Sequence, residues 1–167
     1  MAKGLVYIYA GEGRGKSPAA LGRALQAAME GKNVVIIQFL KGNGMKSKDF
    51  LRRMEPEIKL FCFEKSQESY EDLSEEKKQE AIANIKNEMN FAKKVLVTRE
   101  CDLLILDEVL RLVEKKIVTA EDLKALLDCR EEADIILTGC KADGEICALA
   151  DEISRIETWE PEGKARI

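Results

Sequence analysis

The chain has 167 residues, of which 46% are hydrophobic and 35% charged, and its formal net charge is −4. Such a length suits one domain with a substantial core, and the composition is that of a soluble globular chain, which excludes intrinsic disorder. No apolar run reaches the roughly 20 residues that span a bilayer, and both charge signs are scattered without a basic stripe, so neither a membrane nor a nucleic-acid partner is expected.

Met1 to Gly4 leads into the chain without a signal-peptide cleavage pattern, which predicts a cytoplasmic location. Gly4 to Ala10 (GLVYIYA) is short, apolar and rich in β-formers, and reads as a buried strand. The loop Gly11-Glu12-Gly13-Arg14-Gly15-Lys16-Ser17 follows. Pro18 to Glu30 has apolar residues at helical spacing, with Ser17-Pro18 as a helix start and Gly31 as its stop. Asn33 to Phe39 (NVVIIQF) is a second buried strand, so the first 40 residues form a βαβ unit.

Leu40 to Phe50 is polar, holds two glycines and reads as a surface loop. Ile58 to Phe63 is a third strand, and Glu64 to Leu73 is irregular. Ser74 to Arg99 carries a helical pattern, with Ile82, Ile85, Met89, Ala92 and Leu96 as its buried stripe. Asp102 to Leu106 is a strand running into Asp107-Glu108, and a helix follows to about Lys115. Thr119 to Asp122 matches a looser capping box. Ala133 to Thr138 is a strand, Asp143 to Ala150 a short helix, and Glu152 to Trp159 a last strand, with Trp159 packed at the sheet edge.

Strands alternate with helices and no Pro/Gly/Ser linker divides the chain. One α/β domain over residues 1–167 is expected, its sheet largely parallel and covered by helices on both faces. Ligands of such sheets sit outside the carboxyl ends of the strands. Gly11–Ser17, Asp107-Glu108 and Thr138-Gly139 all fall on that edge.

The stretch Ala10 to Ser17 fits the last three positions of the phosphate-binding pattern G-x-x-x-x-G-K-[ST], with Ala10 in place of its first glycine. Glycines 11, 13 and 15 let the backbone turn its N–H groups toward a phosphate, and the following helix adds the partial positive charge of its N-terminus. Glu12 and Arg14 either contact nucleotide or face water. Lys16 reaches phosphate oxygens, and the Ser17 hydroxyl is a ligand for Mg²⁺. Asp102-Leu-Leu-Ile-Leu-Asp107-Glu108, four apolar residues and then two carboxylates, places an acid beside a phosphate-bound Mg²⁺.

The five cysteines, Cys62, Cys101, Cys129, Cys140 and Cys147, are odd in number and hold no C-x-x-C pair, so reduced thiols are expected. There is no histidine, and any chemistry here runs without imidazole.

These residues resemble the P-loop ATP:cob(I)alamin (corrinoid) adenosyltransferase family. The loop Gly11 to Ser17 is similar to its G-x-G-K-G-K-[ST] variant, and Val35 to Gly42 to its V-Q-F-I-K-G segment. Leu104 to Glu108, Thr138-Gly139 and Leu149 to Asp151 fall in the family's order and spacing. Gly163 to Ile167 resembles the start of its C-terminal segment. The resemblance is weakest from about Gly42 to Lys94. It implies a RecA-like P-loop fold, ATP and a corrinoid as substrates, Mg²⁺, a homodimer, and transfer of the 5′-deoxyadenosyl group to reduced cobalt with release of triphosphate.

Three positions depart from the family. Pro18 has no N–H to offer a phosphate. Glu64 to Tyr70 replaces an aromatic segment of the family's corrinoid pocket, with only Tyr70 aromatic. Cys140 stands where an arginine usually follows Thr-Gly, with Lys141 next to it. Two other readings stay open: a P-loop NTPase or kinase acting at the γ-phosphate, and a nucleotide-binding module without turnover.

Overall fold

A computed structural model describes residues 2–40, 48–63 and 68–163. Most of the loop expected at Leu40–Phe50, residues 64–67 of the departure segment, and residues 164–167 of the C-terminal motif lie outside the described residues.

The strands are β1 (Val6–Ala10), β2 (Val34–Gln38), β3 (Ile58–Cys62), β4 (Leu103–Asp107), β5 (Asp134–Gly139) and β6 (Glu152–Arg155). The helices are α1 (Lys16–Met29), α2 (Lys48–Arg52), α3 (Glu75–Val97), α4 (Val109–Glu114), α5 (Ala120–Leu127) and α6 (Gly144–Cys147). All strand pairs are parallel, in the order β3-β2-β4-β5-β1-β6. β2 and β4 are buried at every position, as continuous apolar runs covered on both faces must be.

Alternate side chains of each strand point to opposite faces, so two apolar clusters form. One holds Val35, Ile37, Leu104, Leu106, Ile135 and Leu137 with α3, α4 and α5 residues such as Ile85, Leu112 and Leu123. The other holds Val34, Ile36, Ile105 and Ile136 against Ala20, Ala24 and Ala27 of α1. The three alanines give α1 a small-residue face, which lets its axis lie close to the sheet. Register aligns Ala10 with Gly139 and Arg155, and Gln38 with Asp107. Because Cys62 of β3 also aligns with Gln38, the carboxyl ends of all six strands share one edge.

The expected helix starts hold. Thr119 and Asp122 form a reciprocal capping box, and Ser74 Oγ accepts from the Lys77 N–H.

Several expectations need correction. Lys48–Arg52 is a helix at the end of the expected loop, with Leu51 only 2% exposed. Burial of that leucine against the sheet outweighs the polar composition around it. The stripe of α3 runs through Ala81, Ile85, Glu88, Met89, Ala92, Val95 and Leu96, and Ile82 is only half-buried. α6 is shorter than the Asp143–Ala150 pattern. The last strand stops at Arg155, because its partner β1 ends opposite at Ala10 and has no further edge to pair with. Trp159 therefore lies beyond the sheet and is 80% exposed, so it is not an edge-packing residue.

Candidate nucleotide site

Gly11 to Gly15 form the turn between β1 and α1, and Lys16 opens the helix. Gly11 has φ +127°, a conformation that glycine adopts without strain. The first turn of α1 has no acidic residue of its own to offset the partial positive charge at its N-terminus. Pro18 lies exposed in that turn.

Lys16 is 9% exposed, folded into its own loop. Its ammonium donates to the carbonyl oxygens of Gly11 at 2.6 Å and Gly13 at 3.2 Å, and lies 3.7 Å from Cys140 Sγ. A buried ammonium held by neutral carbonyls is compensated weakly, and an anionic group fits beside it.

Ser17 and Asp107 meet. The Ser17 hydroxyl donates to Asp107 Oδ1 at 2.7 Å. Thr138 Oγ1, fully buried at the end of β5, donates to the same oxygen at 2.7 Å and accepts the Glu108 N–H at 2.9 Å. Gln38 Nε2 lies 3.4 Å from Asp107 Oδ2. Asp107 is 3% exposed and faces the loop from β4. Hydroxyl and carboxylate oxygens brought together are the donor set that Mg²⁺ takes when phosphates supply the rest. Among the described residues no three His, Cys, Asp or Glu side chains form a metal cluster of their own.

Glu108 differs. It caps α4 in the left-handed region, with φ 67°. Its backbone, rather than its carboxylate, is tied to Thr138. Sequence reasoning placed Asp107 and Glu108 as equals, whereas the fold aims only Asp107 at Ser17.

Glu12 and Arg14 are exposed, and Arg14 pairs with Glu160 at 3.6 Å. A cleft of about 750 Å³ runs over the loop, lined also by Cys140, Lys141, Arg155, Glu157 and Thr158. A smaller apolar cavity of about 200 Å³ adjoins Ser17 and Asp107, walled by Pro18, Leu21, Leu51 and Leu60. Lys141, next to the departure at Cys140, lies in the same cleft as the loop.

Sequence reasoning missed the roles of Thr138 and Gln38. Gln38 carried a signal, a lone polar residue inside the apolar run NVVIIQF. Thr138 was already placed on the ligand edge with Gly139, but its bonds to Asp107 and Glu108 had no sign in the sequence, because threonine is an ordinary strand residue. The segment after β6, which lies against the loop, left no local trace either.

The family model described as ATP:corrinoid adenosyltransferase BtuR/CobO/CobP matches residues 2–162. Corrinoid adenosyltransferases of Escherichia coli and Salmonella typhimurium are 27% and 28% identical to this chain over 155 residues, covering 92% of it and 76% of each relative. A solved KaiC-like protein from the hyperthermophilic archaeon Pyrococcus horikoshii is 19% identical, with a TM-score of 0.56, covering 96% of this chain and 76% of that one. That likeness shows the fold.

Proposed function

The chain belongs to the ATP:corrinoid adenosyltransferase family, and from that premise we propose that it moves the 5′-deoxyadenosyl group of Mg-ATP onto the reduced cobalt of a corrinoid. The observation that carries the proposal is the meeting of Ser17 and Asp107 at 2.7 Å beside the buried Lys16. It supports a magnesium–triphosphate site at the loop.

In this reaction a cobalt–C5′ bond forms and the C5′–O bond breaks, its electron pair leaving with triphosphate. Reduced cobalt is a strong nucleophile, so the residues have no proton to remove. Their work is positioning and charge. A chain without histidine is compatible with that work. Lys16 turns from its loop carbonyls to the triphosphate and offsets the charge that develops on it. The backbone of Gly11, Gly13 and Gly15, together with Glu12 and Arg14, shapes the phosphate cradle. Ser17 and Asp107 hold Mg²⁺, with Glu108 beside them. Mg²⁺, when bound, neutralises charge on the leaving triphosphate. Pro18 leaves the cradle one donor short.

The same reading takes residues 1–167 as one nucleotide-binding domain that works as a cytoplasmic homodimer without nucleic-acid or membrane partners. Among the described residues no helix is long and apolar enough to cross a membrane.

The test mixes the protein with Mg-ATP and chemically reduced corrinoid without oxygen. Light-sensitive adenosylcorrinoid and triphosphate appearing in step support the proposal. ATP binding without transfer would leave a nucleotide-binding module, the reading that Pro18 and Cys140 favour. Phosphate release would indicate chemistry at the γ-phosphate.

A further inference from the structure

Beyond β6 the chain turns across the phosphate loop. The Ile156 N–H donates to Ala10 O at 2.8 Å, which carries the chain one residue past the strand. The Gly13 N–H donates to Ile156 O at 3.0 Å, and the Arg14 N–H to Thr158 Oγ1 at 2.7 Å. Two N–H groups of the cradle are thus bonded to oxygens of the chain itself.

The contact is close enough to explain two of the glycines. A Cβ on Gly13 would lie 2.6 Å from Ile156 O, and one on Gly11 would meet the same oxygen. Charge follows the same pattern. Glu160 lies 3.6 Å from the Arg14 guanidinium, and Glu157 lies 3.7 Å from Arg155. A carbonyl, a hydroxyl and two carboxylates stand against N–H groups and cations of the cleft, where phosphate oxygens compete with them.

We propose that Ile156–Glu160 is a latch on the phosphate loop, which Mg-ATP displaces by taking over the Gly13 and Arg14 N–H groups. The inference rests on the nucleotide-site reading above. The latch is held lightly. Glu157, Thr158, Trp159 and Glu160 are all exposed, and Ile156 alone is half-buried. Exposed ion pairs contribute little and are screened by salt. A triphosphate offers more charge to the same donors. Nucleotide binding therefore frees Ile156–Glu160, and the closed latch lowers apparent affinity by the fraction of molecules it holds shut.

Trp159, the only tryptophan, lies inside the segment and reports on it. The experiment measures Trp159 fluorescence anisotropy and hydrogen exchange at the Ile156 N–H, the donor by which the segment is held to Ala10 O, with and without Mg-ATP, while calorimetry measures binding directly. The double variant Thr158→Val, Glu160→Gln is run beside the wild type. At saturation the anisotropy is expected to fall and exchange at the Ile156 N–H to quicken, and the variant binds Mg-ATP about 3- to 10-fold more tightly. Binding with anisotropy and exchange unchanged, or with that N–H better protected, overturns the latch and leaves the nucleotide site standing. Absence of binding by both proteins overturns the nucleotide site and the latch together.

Discussion

The hydroxyl of Ser17 donates to Oδ1 of Asp107 across 2.7 Å, joining residues 90 positions apart in the chain. One belongs to the first turn of α1, the other to the end of a buried strand. The bond brings the two oxygens together, and the Thr138 hydroxyl donates to the same Oδ1.

Asp107→Asn keeps the shape and removes the charge. The Mg²⁺ concentration that half-saturates the reaction is expected to rise at least ~10-fold, the scale at which disturbed metal shells lose affinity. Glu108→Gln is expected to shift it far less, since Glu108 is anchored through its backbone. Mg²⁺ titration of both variants at fixed ATP checks the contrast, and equal shifts would refute the division of roles.

Lys16→Ala is expected to slow adenosyl transfer by about 10²- to 10³-fold, the usual loss when one preorganised charge partner is removed. The fold is expected to survive, because the lysine bonds only to loop carbonyls and a thiol that water reaches through the cleft. Steady-state rates with a circular dichroism control measure both.

Thr138→Val deletes a buried hydroxyl that serves Asp107 and Glu108 at once. It leaves the Glu108 N–H without that acceptor, at a cost of about 1–3 kcal/mol. Apparent Mg²⁺ affinity is expected to fall about 10- to 100-fold. Thr138→Ser, which restores the hydroxyl, recovers both. Failure of serine to rescue would assign the loss to packing.

The thiols divide by environment. Cys140 is exposed and lies beside Lys16, whereas burial pushes the Cys101 thiol up to about 12, with Asp102 and Glu100 adding to it. Brief treatment with iodoacetamide at pH 7 is expected to label Cys140 and spare Cys101, because only the thiolate reacts. Mg-ATP is expected to slow labelling of Cys140. Peptide mass analysis reads both outcomes.

The capping box of α5 gives a pH signature. Hydrogen bonds from the Thr119 backbone, then from its side chain, hold the Asp122 carboxyl below its usual 3.8. The ionised form is favoured in the folded state, so the contribution is present above that value. It is lost as pH falls through the lowered folded one. Thr119→Ala is expected to cost ~1 kcal/mol at pH 7, or about 2–4 °C in Tm. The melting gap between Asp122→Ala and wild type is expected to close on acidification below pH 3.8, and a gap constant with pH would refute the assignment.

Much of the fold was legible along the chain. Four apolar runs, beginning near Gly4, Asn33, Asp102 and Ala133, marked the buried strands β1, β2, β4 and β5, since a run covered on both faces needs no alternation, and the runs from Ile58 and Glu152 marked the less buried edge strands β3 and β6. The loop Gly11–Ser17 was legible because its chemistry is local: glycines that turn the backbone, then a lysine and a hydroxyl opening a helix. Thr119 and Ser74 were legible as caps for the same reason. Helix α2 was not, because a single buried leucine in a polar stretch has no period to show.

Local pattern thus marked the strands, most of the helix starts and the turn Gly11–Ser17 as a candidate phosphate loop, because those follow from residues that are neighbours in the chain. Which carboxylate faces Ser17, how Thr138 ties Asp107 to Glu108, and where Ile156 and Thr158 meet Gly13 and Arg14 were decided by assembly of the sheet. The parallel register of β1, β4, β5 and β6 brings together residues whose separation in the chain runs from about 30 to over 140 positions, as with Glu108–Thr138 and Arg14–Thr158. Local propensity carries no record of contacts that exist only once those strands are paired.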